Sequence, residues 1–366
     1  MSDPAQLNSL PLHALHEAAG AKFGGFAGWN MPLSYPLGVL KEHLHVREHA
    51  GLFDISHMKL VEVDGADAAR MLSLACPLNA ANLATGASKY TFLLNDRAGI
   101  IDDLIVTRLG EARFMVVANA SRAAIDVATL RESADGLDCT VTPLDRVFVA
   151  LQGPEAEAVM TDAGFDVSAM GFMTGCEPAP GHFLTRSGYT GEDGFETALP
   201  ADEAAELVGR LAGDPRVEWI GLAARDSLRL EAGLCLYGQD LDEQTDPASA
   251  GLTWAIAKPL RAGGGYRGAD ALAGIIAEGP AMKRVGLKAE GRMPVRNGDL
   301  TTEDGKPAGR ITSGGFGPSV NHPVAMGYVP AAFAQPGTRL FADVRGKPAA
   351  LDIVKLPFTP KRSNKG

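Results

Sequence analysis

Residues 99–107 combine a run of β-branched and aliphatic side chains with two adjacent acids, Asp102 and Asp103, at its middle. Such a run predicts a well-buried strand, and a strand turns successive side chains to opposite faces. Ile101, Asp103 and Ile105 then share one face, while Asp102, Leu104 and Val106 share the other. Both acids cannot easily reach water if each face is covered. A buried polar group without a hydrogen bond costs about 2–7 kcal/mol, and a charge more, so the fold must supply donors to at least one of them. Two readings stand open: a structural acid that caps a turn or pairs with an arginine, or a carboxylate aimed into a ligand cavity.

At 366 residues the chain can form two or three domains around a large core. It is 46% hydrophobic and 21% charged, a globular rather than a disordered profile. A formal net charge of -10 argues against bulk attraction to nucleic acid or anionic membrane. Cys76, Cys139, Cys176 and Cys235 are widely spaced with no CxxC pair, which suits reduced thiols and gives no zinc signature. Met1-Ser2-Asp3-Pro4 carries no leader pattern and no apolar run reaches membrane-span length. The expected location is cytoplasmic, with a processed organellar protein as the alternative.

The pattern predicts helices over 10–20 and 36–49, the second with Leu37, Leu40 and Leu44 on its apolar stripe and Gly51 as its stop. His45 and His49 stand four apart on it, as a metal pair or as part of a solvated face; no ligand set completes the first reading. A strand over 59–63, a helix begun by Asp67, and strands over 90–94 and 114–118 follow. The last two flank the aspartate strand in an antiparallel meander. Asn119-Ala120-Ser121 offers N-cap chemistry for a helix over 122–132. This meander places Tyr90, Asp103 and Asn119 side by side.

A second block holds a strand over 148–151, a helix over 155–162, and strands over 183–186 and 195–199. Gly188, Gly191 and Gly194 punctuate the connection between the last two, without the spacing of a dinucleotide or P-loop site. Glu196 points away from Phe195 and Thr197, either to solvent or to a ligand. A helix over 221–233 carries Arg225 and Arg229, like charges one turn apart that want anions from the fold or from a ligand. From about residue 284, short strands and frequent turns predict an all-β barrel or sandwich.

Eight blocks in order resemble the glycine cleavage system T-protein family. They are Phe26-Ala27-Gly28-Trp29, Phe53-Asp54-Ile55-Ser56-His57-Met58, Ile101-Asp102-Asp103-Leu104-Ile105-Val106, Leu151-Gln152-Gly153-Pro154, Gly188-Tyr189-Thr190-Gly191-Glu192-Asp193-Gly194-Phe195-Glu196, Ala224-Arg225-Asp226-Ser227-Leu228-Arg229-Leu230-Glu231-Ala232-Gly233, Thr312-Ser313-Gly314 and Ala325-Met326-Gly327-Tyr328-Val329-Pro330. The resemblance spans nearly the whole chain, from about residue 12 to 358. It implies an α+β, three-domain cloverleaf with a central folate channel and a C-terminal all-β, jelly-roll-like barrel. The implied lobes are 1–55 plus 148–250, 56–147 plus 251–283 with the aspartate strand, and 284–366.

The resemblance further implies a tetrahydrofolate-dependent aminomethyltransferase with Asp103 as the catalytic acid. Glu196 would take the pterin, whose amino and N3-H donors suit a carboxylate. Arg225, Tyr90, Asn119, Tyr189, Met58 and Arg362 are the implied folate contacts, and Thr107 stands where some members have tyrosine. The co-substrate is tetrahydrofolate, with no metal, and the lipoyl group comes from the partner, the lipoylated H-protein. The functional links are to the glycine decarboxylase and dihydrolipoyl dehydrogenase components, and not to nucleic acid or membrane. The implied chemistry expels a thiolate from the aminomethyl-dihydrolipoyl arm, captures the one-carbon unit on folate and releases ammonia. An acidic carrier calls for a basic patch at the channel mouth. Within the superfamily, a folate-dependent demethylase is the alternative. A non-catalytic folate-binding protein is disfavoured, because Arg186-Ser187-Gly188-Tyr189-Thr190-Gly191 lacks the cysteine of that group.

Overall fold

The computed structural model describes residues 7–344 and 346–362; the outer ends expected for the first lobe and the barrel lie outside them. Five strands, all between residues 59 and 144, form a sheet in the order Ser88–Leu94, Ile100–Arg108, Arg113–Ala118, Lys59–Asp64 and Thr140–Leu144. The first three are the antiparallel meander. One face is covered by the helices Ala68–Ala75 and Ala123–Ser133, where Leu93, Leu104 and Val106 pack with Met71, Leu72 and Leu130. A register shift opposite Leu93 and Leu94 leaves Ile101 as the extra residue of a bulge. Ile101 therefore joins the helix-covered core and does not share the face of Asp103, as strict alternation had predicted.

A six-stranded sheet runs Thr174–Cys176, Phe183–Arg186, Gly194–Leu199, Val147–Gln152, Ala50–Asp54 and Val217–Trp219. The two sheets meet through Phe53, Phe148 and Ala198 on one and Leu60, Met115 and Val117 on the other. The aromatic segment near the N-terminus is a hairpin, Lys22–Phe26 with Trp29–Ser34, turned at Ala27 and Gly28 with φ of 49° and 82°. Two consecutive positive φ values match the twist of a two-residue hairpin loop. Beyond residue 281, six strands close into a barrel around Leu287, Leu300, Ile311, Val329 and Leu351. Its strand Gly298–Thr301 has only one buried residue, which explains why the apolar pattern does not reveal it.

The helix Val39–Glu48 departs from expectation. Leu40 is 54% exposed, and the buried face is Glu42, His43, Val46 and Arg47. Each polar member has partners. Glu42 accepts from the backbone N–H of Tyr35 and Gly221 at 2.7 and 2.8 Å. Arg47 donates to Glu192, Glu231 and the Thr190 carbonyl. His43 lies against Ser227 Oγ at 2.7 Å, Ser319 Oγ at 2.8 Å and Glu231 at 3.1 Å. Gly51 is not the helix stop but lies in the strand Ala50–Asp54, where a Cβ would come within 2.5 Å of Val46 and 2.6 Å of Ile220. Among the described residues no helix is long and apolar enough to cross a membrane.

Candidate functional site

A cavity of about 790 Å³ is lined by both sheets, the helix Leu222–Glu231, Arg284 of the barrel and the tail residues Leu356, Pro357 and Lys361. The meander brings Asp103 to its wall, as strand pairing dictates: Phe92 is opposite Asp103, and Ile105 is opposite both Tyr90 and Val117. The Tyr90 hydroxyl donates to Asp103 Oδ2 at 2.9 Å, and Asn119 Nδ2 donates to Oδ1 at 3.0 Å. Burial, then the adjacent Asp102 charge, pushes the Asp103 carboxyl up to about 7, while the two donors offset part of that push. Asn119 does not cap the following helix, which begins without a side-chain cap at Arg122; the aspartates hold its amide instead.

Glu196 faces the cavity from the six-stranded sheet and is 8% exposed, so it is not a hairpin acid in solvent. Burial raises its carboxyl, and Ser187 Oγ donates to Oε2 at 2.7 Å. Its other oxygen has no donor among the described residues. The preceding loop needs its glycines for packing. A Cβ on Gly188 would lie 1.8 Å from Gln152 Oε1, and Gly191 has φ +81°. Gln152 also anchors the loop through the Ser187 carbonyl and the Thr190 hydroxyl.

The two arginines of helix Leu222–Glu231 part company. Arg229 is paired with Asp226 at 2.8 Å and with buried Asp240 at 2.7 Å. Arg225 lies over the Tyr189 ring at 4.6 Å and donates to no acceptor among the described residues. The Tyr189 hydroxyl is held by the Cys235 carbonyl. Met58 also lines the cavity, next to His57. Burial and the Arg225 charge hold the His57 ring down to about 3, so it is neutral at physiological pH.

Seven of the eight residues singled out from the sequence therefore meet in one cavity: Asp103, Glu196, Arg225, Tyr90, Asn119, Tyr189 and Met58. Arg362 does not line it. Its guanidinium lies 3.4 Å from the Arg47 carbonyl and 3.9 Å from Glu192, and Lys361 lines the cavity instead. Trp254, 64% exposed and stacked on Tyr90 at 5.7 Å, was missed; only its tertiary neighbour gives it meaning. Thr107 is buried against Ser88 at 2.8 Å. The lining carries Lys89, Arg225, Arg229, Arg284 and Lys361 against Asp103, Glu196 and Asp226, a cationic excess in a chain of net charge -10. Lys89 and Lys361 are exposed. Among the described residues no group of three His, Cys, Asp or Glu side chains is arranged to hold a metal.

The GCVT N-terminal domain model matches residues 12–259, and the glycine cleavage T-protein C-terminal barrel domain model matches 283–359. A chicken mitochondrial aminomethyltransferase is 42% identical, over 98% of this chain and 94% of its own. The human mitochondrial aminomethyltransferase is 38% identical, over 97% and 90%. The crystal structure of a glycine cleavage system aminomethyltransferase T from Bartonella henselae is 57% identical and superposes with a TM-score of 0.97, covering 98% of this chain and 100% of that one.

Proposed function

The chain belongs to the glycine cleavage T-protein family, and from that premise we infer its reaction. It is an aminomethyltransferase that moves a one-carbon unit to tetrahydrofolate and releases ammonia and 5,10-methylenetetrahydrofolate. The observation that carries the reading to this chain's own residues is the pairing of an underbonded glutamate with a near-neutral aspartate in one cavity. Among the described residues, one Glu196 oxygen has no donor, which suits the paired N–H groups of a pterin. Tyr90 and Trp254 make a flat stacked wall, and the cationic excess suits a ligand that carries carboxylates.

In this reading Asp103 is the catalytic residue. A carboxyl near 7 can hold or give up a proton at neutral pH, which is what general acid–base work at an amine nitrogen requires. In its ionised form it faces cationic character developing on the one-carbon unit, at a position where burial strengthens such an interaction. Tyr90 and Asn119 fix the direction of its two oxygens. Tyr189 and Arg225 hold a second wall, and Met58 supplies apolar contact. Arg362, outside the lining, is proposed to act at most from the tail, with Lys361 nearer the ligand.

The donor of the one-carbon unit is proposed to be the aminomethyl-dihydrolipoyl arm of an H-protein. Exposed Lys89 and Lys361 offer the basic rim that an acidic carrier would meet. Functional links to the decarboxylase and dehydrogenase components, the three-lobe division of the chain and a cytoplasmic location belong to the same proposal, although the chicken and human relatives are mitochondrial by name. The test is ammonia release from an aminomethylated lipoyl carrier with and without tetrahydrofolate. Fast release only with folate supports the reading. Folate binding without release under any condition would contradict it in favour of a demethylase or a non-catalytic folate-binding protein.

A further inference from the structure

Behind the cavity wall lies a polar group that the proposed chemistry does not use. Asp126, on the helix Ala123–Ser133, is fully buried, and neither of its carboxyl oxygens has a hydrogen-bond donor among the described residues. Asp102, also fully buried, pairs with Leu93 across the strands and so lies on the sheet face that this helix covers, where its charge acts on Asp126. Two ionised carboxylates cannot bond each other, and two like charges buried together cannot both persist. A single proton between them resolves both problems.

The donors around the pair decide where that proton sits. Asp102 Oδ1 accepts from Asn119 Nδ2 at 2.9 Å, and Oδ2 accepts from the Asn119 backbone N–H at 3.1 Å. Asp102 is thus the oxygen pair already served by donors, and Asp126 is the one with none. The other charged or titratable groups facing the pair are Arg122, Asp103, Cys76 and Tyr237. Arg122 is engaged by the Ile101 carbonyl and Glu243.

We propose that Asp126 is a positioning residue: it is a neutral acid that donates to ionised Asp102 and thereby fixes the orientation of Asn119 at the cavity. The reasoning runs through the Asn119 amide. Its nitrogen faces three acceptors: Asp102 Oδ1, Asp103 Oδ1 and the Asp103 carbonyl, at 2.9, 3.0 and 3.1 Å. As long as Asp102 is ionised, only the amide nitrogen can face that way, so the amide oxygen turns away from the carboxylates as an acceptor on the cavity side. Without the Asp126 donor, Asp102 takes up the proton itself. A protonated Asp102 can donate to the Asn119 oxygen, and the amide can flip. The flip would remove a donor from Asp103 and reverse the polarity that Asn119 offers a ligand.

The test compares Asp126→Asn, whose amide can still donate, with Asp126→Val, which cannot. Asp126→Asn should keep turnover within about threefold, and Asp126→Val should lower kcat about ten- to a hundredfold at an unchanged melting temperature. Infrared difference spectra between the parent and Asp126→Asn at alkaline pH should show one carboxylic-acid C=O band lost from the parent, at a pH where Asp103 is ionised. Equal activity in both variants, losses that follow melting temperature alone, or no such band would overturn the proposal. The turnover arm rests on the aminomethyltransferase reading. The infrared arm does not, so failure of that reading alone would leave the band in place.

Discussion

Two buried glutamates, Glu231 and Glu196, show how the fold spends its charges in two ways. Glu231 sits where the helix Val39–Glu48, the barrel loop at Ser319 and the tail converge. Its Oε2 accepts from His43 and Arg47, each at 3.1 Å, and its Oε1 from the backbone N–H of Ser319 at 2.8 Å. Burial pushes its carboxyl up, yet His43, Ser319 and Arg47 together bring it down to about 2. Glu196 has one hydroxyl donor and is raised by burial. The helix Leu222–Glu231 serves both regions, with Arg225 toward the cavity and Glu231 in the knot. A saturated buried charge reads as architecture, and an underbonded one beside a cavity reads as a place kept for a ligand.

The comparison can be broken most forcefully at Arg47. Arg47→Met takes from buried Glu192 its hydrogen-bond donor and from Glu231 one of its donors, and should cost about 3–5 kcal/mol in denaturant unfolding, without changing the KM for folate of the folded fraction. A marginal loss would mean the knot is not structural. On the other side, Glu196→Gln keeps the shape but exchanges the free carboxylate oxygen. It should weaken folate binding by about 1.5–3 kcal/mol, roughly ten- to a hundredfold, with a melting temperature unchanged or raised. Unaltered affinity in a calorimetric titration would remove Glu196 from the site.

Acidity separates the regions with smaller effects. Glu231 is depressed in the fold, so its contribution to stability is present above about 4.5 and fades as pH falls toward about 2. Asp103 is raised from 3.8 to about 7. The native state therefore holds this proton more tightly than the unfolded chain, and its contribution to stability declines as pH rises through that window and is constant above it. If the ionised form is the active one, kcat/KM should climb through an apparent pKa near 7. A flat profile across neutral pH would contradict the role given to Asp103.

Much of this was legible in the chain, for reasons that differ by region. The period-two runs around Asp103 and Glu196 identified their strands, and strand pairing then brought Tyr90, Asp103 and Asn119 together. Local pattern failed where tertiary partners override it. The buried face of the helix Val39–Glu48 carries Glu42, His43 and Arg47 beside Val46, because Glu231, Glu192 and two backbone N–H groups wait for them. The bulge at Ile101 is invisible to alternation. Trp254 and Lys361 acquire their place only from segments distant in sequence, and Asp126 looks like an ordinary helix acid until the fold lays its helix on the sheet face that carries Asp102.

The most direct measurement is turnover and thermal unfolding of Asp103→Asn, side by side with the parent. The account predicts a loss of about 10²–10⁴-fold in ammonia release at a melting temperature equal to or above the parent's, because the replaced carboxyl is one the fold holds against its own ionisation. A destabilised variant whose folded fraction turns over normally would make Asp103 a structural acid and contradict the account.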